Sequence, residues 1–207
     1  MNKIIMNKAL SILTFLSLLF VTHTAFGQAN AYEMHESSTM TIVGTSTLHD
    51  WESNVEEFSL DISMNQEAFV GSSAESAIGS LSLQAAVESI KSGKGGMDRR
   101  TYDALQEEDH PYITFNLTSA EVADSVATDN EFTLNVTGDL TIAGVTNTVS
   151  FPVTGMMEGD NSYRFEGNHE INMIDYEVDP PTAMLGTIKT GEVVTVNFNI
   201  LLTPVQA

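Results

Sequence analysis

Few residues in this chain stand at spacings that do chemistry. Histidines occur at His35, His49, His110 and His169, outside the first 27 residues. No two of them share the His-x-x-x-His spacing that lets one element hold zinc. A metal-assisted reading therefore needs distant strands to bring His49, Asp50 and His110 together. A nucleophilic serine is not signalled either, because Gly-x-Ser-x-Gly is absent. Ser92-Gly93-Lys94-Gly95-Gly96 lacks the Gly-x-x-x-x-Gly-Lys-Ser/Thr order that cradles phosphate. Carboxylates are abundant, with 28 Asp and Glu residues, but abundance does not pair them across a substrate. The expectation is a protein that is not an enzyme, with no catalytic residue and no metal.

Charge narrows the partners. The formal net charge is −20, and two of the eight basic residues, Lys3 and Lys8, lie at the very start. Such a surface repels phosphate backbones and anionic membranes, so nucleic acid is not an expected partner. Against this background Lys91, Lys94, Arg99 and Arg100 cluster within ten positions. A solvated helix face with ordinary ion pairs to Asp98 or Asp103 explains the same cluster.

The ends of the chain bear on its destination. Lys3 and Lys8 precede an apolar run, Ala9 to Val21, and Ala25-Phe26-Gly27 follows it. This order is that of an export signal, read as residues 1–27 with cleavage before Gln28. The run is shorter than the roughly 20 residues that span a bilayer, and no later stretch approaches that length. The expectation is a soluble exported protein of the periplasm or the exterior, with an N-terminal extension over 28–38 and one domain over 39–207. With no cysteine in the chain, neither a disulfide nor a lipidated cysteine supports it.

Period-two alternation fills that domain and predicts eight strands. Phe58-Leu60-Ile62-Met64 is the cleanest run, and Phe132-Leu134-Val136-Leu140-Ile142 is the longest but for an in-register Gly138. A second in-register glycine, Gly167, interrupts the run from Tyr163 to Met173. Such positions suit a strongly curved sheet, which favours a closed antiparallel barrel over a sandwich. Two segments break the rhythm. Met97 to Glu108 reads as one short helix ended before Pro111, and Asp175 to Gly191 reads as a long loop carrying Pro180-Pro181 and the apolar tip Ala183-Met184-Leu185. Both are placed to cover an open end. An eight-stranded barrel is either filled by its own side chains or holds one elongated ligand. The pattern leaves both open.

Six short phrases, in order, carry a resemblance. Gly44-Thr45-Ser46-Thr47-Leu48-His49-Asp50-Trp51 comes first. Lys91-Ser92-Gly93 and Met97-Asp98 then lead into His110-Pro111-Tyr112-Ile113-Thr114-Phe115. After Gly138-Asp139-Leu140-Thr141-Ile142, Pro181-Thr182-Ala183-Met184-Leu185-Gly186 closes the set. In this arrangement, from about Thr39 to Leu202, the chain resembles the YceI-like family of lipocalin-shaped proteins, in a branch with Ser-Thr-Leu-His-Asp-Trp. The resemblance implies an all-β, eight-stranded antiparallel lipocalin-like barrel. It also implies export, in some members a homodimer, and no cofactor other than a bound isoprenoid lipid or quinone held in an apolar tunnel. The residues expected to line that tunnel are Trp51, Phe58, Leu60, Phe115, Phe132 and Leu134. Phe151, Phe165, Met173, Met184 and Phe198 complete the set. The function implied is carriage or storage of a long apolar chain. If its head group is anionic, the clustered Lys91, Lys94, Arg99 and Arg100 are the candidates for meeting it. The alternative is a structural or interaction module of the cell envelope or stress response with a filled core.

Overall fold

The computed structural model describes residues 32–64, 78–123 and 130–205. The export segment 1–27 lies outside the described residues. The strands are β1 (Tyr32–Met34), β2 (Thr39–Ser46), β3 (Trp51–Val55), β4 (Phe58–Met64), β5 (Ile78–Ala86) and β6 (Ile90–Lys91). After helix α1 (Gly95–Ala104) come β7 (Tyr112–Val122), β8 (Glu131–Ile142), β9 (Val145–Glu158) and β10 (Ser162–Asn172). β11 (Thr182–Ala183) and β12 (Ile188–Pro204) end the fold. Tyr32 to Met34, inside the segment expected as an extension, pairs with Pro204 to Leu202.

All described pairings are antiparallel, and the strands join in one sheet. Ten lie along a single path, β4-β5-β7-β8-β9-β10-β12-β2-β3-β6, with β1 and β11 added against β12. The expected number of strands was eight; the described residues form twelve. Part of the excess arises at corners, and the short β1 and β11 make up the rest. Glu56 and Glu57 divide β3 from β4, and a short 3-10 turn, Val87–Ser89, divides β5 from β6. The sheet is strongly curled and has no separate second layer, so a sandwich does not form.

Local chemistry explains the turns. Ala143-Gly144 joins β8 to β9 with both residues at positive φ, 48° and 80°, the backbone a two-residue hairpin of this hand requires. α1 begins with two glycines and lacks a side-chain N-cap bond, so its sequence alone supports it weakly. Bonds between its side chains and residues before the helix hold it instead. Ser92 donates from its backbone N at 2.8 Å and from its hydroxyl to the Asp98 carboxylate. Tyr102 donates to the Glu88 or Ile90 carbonyl, and Lys91 Nζ reaches the Tyr102 hydroxyl at 2.7 Å. The helix ends at Ala104, short of the expected Glu108. Gln106 turns left-handed, and His110 N closes on the Gln106 carbonyl before Pro111.

The concave face of the sheet carries the core. Leu134 and Leu202 are completely buried there, with Phe132, Val153, Phe165 and Ile200 close behind. Each such side chain contributes roughly 1.5–3 kcal/mol when withdrawn from water. The opposite face is polar, as strict alternation along β8 requires: Phe132, Leu134, Val136, Gly138, Leu140 and Ile142 are buried, and the residues between them are not.

Candidate functional site: an apolar cavity inside the curled sheet

The concave side chains do not fill the space they enclose. A cavity of about 430 Å³ remains, within the range of small-ligand sites. The part of its wall that strands supply is built by alternation. β8 supplies Leu134, Val136, Leu140 and Ile142; β12 supplies Val194, Val196, Phe198, Ile200 and Leu202. β10 adds Phe165, His169 and Ile171, and β4, β5, β7 and β9 add Leu60, Leu83, Phe115 and Phe151. From Leu134 to Ile142 is eight residue steps, about 26 Å at roughly 3.3 Å each. The cavity is therefore long and narrow.

Aromatic rings lie against glycines on neighbouring strands. Phe198 is paired with Gly167, Phe132 with Gly155, and Trp51 with Gly44. A Cβ at these glycines would come within 2.6, 2.3 and 2.4 Å of the ring atoms, and one at Gly138 within 2.4 Å of Phe115. No real Cβ tolerates such distances, so each glycine gives its ring room to lie close to the wall. The in-register glycines of the sequence thus have a steric task.

One end of the cavity is covered by irregular segments. Leu48 and His49 of the β2–β3 loop, Met97, Arg100, Thr101 and Ala104 of α1, and Pro181 to Ala183 meet there. The Ser46-to-Trp51 phrase organises this end. Ser46 Oγ donates to the His49 carbonyl at 2.7 Å and accepts from the Leu48 and His49 backbone N–H groups. Thr47 ties the loop to the segment beyond: its N donates to the Lys189 carbonyl at 3.0 Å, and its Oγ1 accepts from Lys189 N. His49 Nδ1 donates to the Asp50 carbonyl at 2.6 Å. Trp51 Nε1 donates to the Thr45 carbonyl at 3.1 Å, which pins the ring over Gly44.

Of the side chains expected to line a tunnel, Trp51, Leu60, Phe115, Leu134, Phe151, Phe165, Met173 and Phe198 border the cavity. Phe58, Phe132 and Met184 do not. Phe132 is buried in the same core cluster, edge-on to Phe165 at 6.1 Å, and Phe58 packs between the two core clusters. Met184 stands out in solvent. Of the cationic candidates, Lys94 and Arg100 border the cavity, whereas Lys91 and Arg99 do not. Lys91 is committed to Tyr102, over whose ring it also sits at 5.1 Å. That engagement raises its pKa.

Sequence reasoning set aside one residue that the fold brings inside. His169 borders the cavity on β10, opposite Val196 of β12, with its ring 4.9 Å from that of Phe151. Burial pushes its pKa below the ordinary 6.5, against a smaller opposing pull from Glu170. The ring is therefore neutral near pH 7, with one donor and one acceptor nitrogen in an apolar wall. The signal was available: His169 is in phase with Phe165 and Ile171. His49 borders the same cavity at its covered end, whereas His110 does not. His110 packs instead under the β8–β9 turn, where a Cβ on Gly144 would meet its ring at 2.6 Å. Among the described residues no three His, Asp or Glu side chains converge on a metal position. No helix among them is long and apolar enough to cross a membrane.

The family model described as the YceI-like domain matches residues 32–202. No curated protein matches the chain. Among solved structures, Burkholderia cenocepacia BcnA is similar at 22% identity and a TM-score of 0.63, covering 79% of this chain and 95% of that one. A polyisoprenoid binding domain from Saccharophagus degradans, implicated in plant cell wall breakdown, is similar at 14% identity and a TM-score of 0.65, over 85% and 99% of the two chains. The Campylobacter jejuni YceI protein is similar at 18% identity and a TM-score of 0.57, over 75% and 85%. At these identities the structural likeness speaks for the fold.

Proposed function

The chain belongs to the YceI-like domain family, and from that premise we propose that it is an exported, non-enzymatic carrier or store of one long apolar lipid, such as a polyprenyl chain or quinone. The observation that carries this reading is the cavity of about 430 Å³ walled by alternating apolar residues. A packed core does not leave such a space, because interiors are filled to crystal-like density. An apolar tail gains about 0.8 kcal/mol per buried CH₂ before binding costs. Membership of a family with a polyisoprenoid binding domain among its structural relatives supports the same ligand class.

A finer architecture goes with this reading. Glu56 N donates to the Ser89 carbonyl, and Ala86 N donates to the Glu57 carbonyl. These bonds carry the pairing of β4 with β5 around the corner into that of β3 with β6. We read β3–β4 and β5–β6 as two bent strands, which gives an eight-membered closed barrel around the cavity. Lys94 and Arg100 at the covered end are the side chains proposed to meet a polar or anionic head group.

The experiment is mass spectrometry of an organic extract from the exported protein, purified without detergent from a host that makes prenyl lipids and quinones. A stoichiometric lipid is the expected result and names the cargo. An empty extract, with no uptake of added prenyl lipid, would overturn the carrier in favour of an interaction module.

A further inference from the structure

One row of the cavity wall is polar at both ends. Ser53 on β3 pairs with Ile42 on β2, Ile42 with Val196 on β12, and Val196 with His169 on β10. The four residues thus lie level across four neighbouring strands, and all four border the cavity. The rows on either side are apolar. Met40 and Phe198 stand deeper in, and Trp51, Val194 and Ile171 stand toward the covered end. Inward-facing rows are two residues apart, so the polar row lies about 7 Å inside Trp51.

The two polar side chains of this row are unengaged. Neither the Ser53 hydroxyl nor the His169 ring has a hydrogen-bond partner among the described residues, although Ser53 is buried. No fully enclosed polar side-chain atom among those residues lacks a partner, so the Ser53 hydroxyl opens on the lumen. The His169 ring lies against Phe151. Other polar groups at the cavity are taken: the Ser46 and Thr101 hydroxyls donate to the His49 and Met97 carbonyls. A hydroxyl and an imidazole facing apolar space destabilise the fold unless something there meets them.

We propose that Ser53 and His169 form a polar subsite for an uncharged oxygen of the cargo, a carbonyl or hydroxyl group carried on the apolar chain. The inference rests on the carrier reading and deepens it by naming the chemistry of the ligand's polar end. The hydroxyl and the neutral imidazole each offer one donor and acceptor capacity, which matches such an oxygen. They give a phosphate no countercharge, and an unpaired charge in an apolar wall is costly. Lys94 and Arg100 belong to the segment covering this end, so they meet only what projects past the subsite. A water molecule also satisfies such groups, and the experiment separates it from a ligand oxygen.

Trp51 is the only tryptophan and borders the cavity one row away, so its fluorescence reports occupancy. Three probes share one prenyl chain: geranylgeraniol, geranylgeranyl monophosphate and the hydrocarbon lacking the oxygen. The native chain should bind the alcohol about tenfold more tightly than the hydrocarbon, and more tightly than the monophosphate. Ser53→Ala and His169→Phe should each weaken alcohol binding several-fold. Together they should erase its preference while hydrocarbon binding persists, which shows the cavity intact. If the double variant loses the hydrocarbon as well, the single variants decide. A preference for the alcohol that survives these substitutions overturns the subsite. Equal binding of all three probes by the native chain overturns it too, leaving water at Ser53 and His169. Tightest binding of the monophosphate overturns it in favour of Lys94 and Arg100. Failure of all three to bind overturns the carrier reading, and the subsite with it.

Discussion

The ring of Phe198 on β12 lies over Gly167, its direct partner on β10, so closely that a Cβ there would stand 2.6 Å from Cζ. The relationship sets the width of the cavity at this level, because the space a side chain would take on β10 is given to the ring. Gly167→Ala should push Phe198 into the lumen. The expected cost is about 1–3 kcal/mol of stability, together with reduced lipid capacity. Chemical denaturation and extract stoichiometry measure the two. An unchanged capacity would mean that the ring does not gate the lumen.

Val196 faces the cavity opposite His169. Val196→Phe adds volume toward open space rather than toward packed atoms. It should therefore cost under about 1 kcal/mol, less than overpacking of a filled core. Lipid binding should fall at least about tenfold, which corresponds to roughly 1.4 kcal/mol. Thermal melts and a lipid titration test this. A large loss of stability without added lipid would indicate a lumen that is already full.

His169 carries a pH dependence with a definite sign. Its folded pKa is depressed by burial, so the unfolded chain binds the proton more readily. Stability is therefore unaffected by this group above its ordinary value near 6.5 and declines as pH falls through 6.5 toward the lower folded value. His169→Phe removes the group and keeps a ring against Phe151. Stability measured from pH 8 to pH 5 should fall more for the native chain than for the variant. Parallel curves would show that the imidazole titrates normally.

Asp98 holds the loop before α1 through two hydrogen bonds from Ser92. Burial opposes its ionisation, but these bonds outweigh that and hold its pKa down. Asp98→Ala should cost about 1.5 kcal/mol, the low end for hydrogen bonds to charged groups. Amide exchange should quicken over residues 92–105 and stay unchanged in β8. Uniform acceleration would place the effect in global stability instead.

Much of the wall was legible residue by residue. Leu60, Phe115, Leu134, Phe151, Phe165 and Phe198 were picked from alternation and border the cavity. Alternation assigns a face, because successive side chains of a strand point to opposite sides. It does not say whether a concave side chain reaches the lumen. Phe132 has the same phase as Leu134 and lies edge-on to Phe165 and over Gly155 on the next strand, yet does not border the cavity. That pairing depends on register between β8 and β9, which no local pattern contains. Lys91 and Arg100 likewise look equivalent in sequence. Only the fold puts Tyr102 beside one and the cavity beside the other.

The sequence by itself determined the sheet, its inward face, the irregular segments that cover one end, and a family resemblance, because these follow from local periodicity, turn chemistry and ordered phrases. The tertiary structure decided the open cavity, the neutral His169 within it and the apolar tip beside its mouth. Those depend on how far apart opposite walls stand and on which side chains meet across strands distant in sequence. Such distances are set by curvature and register acting on the whole sheet, and no window of sequence specifies them.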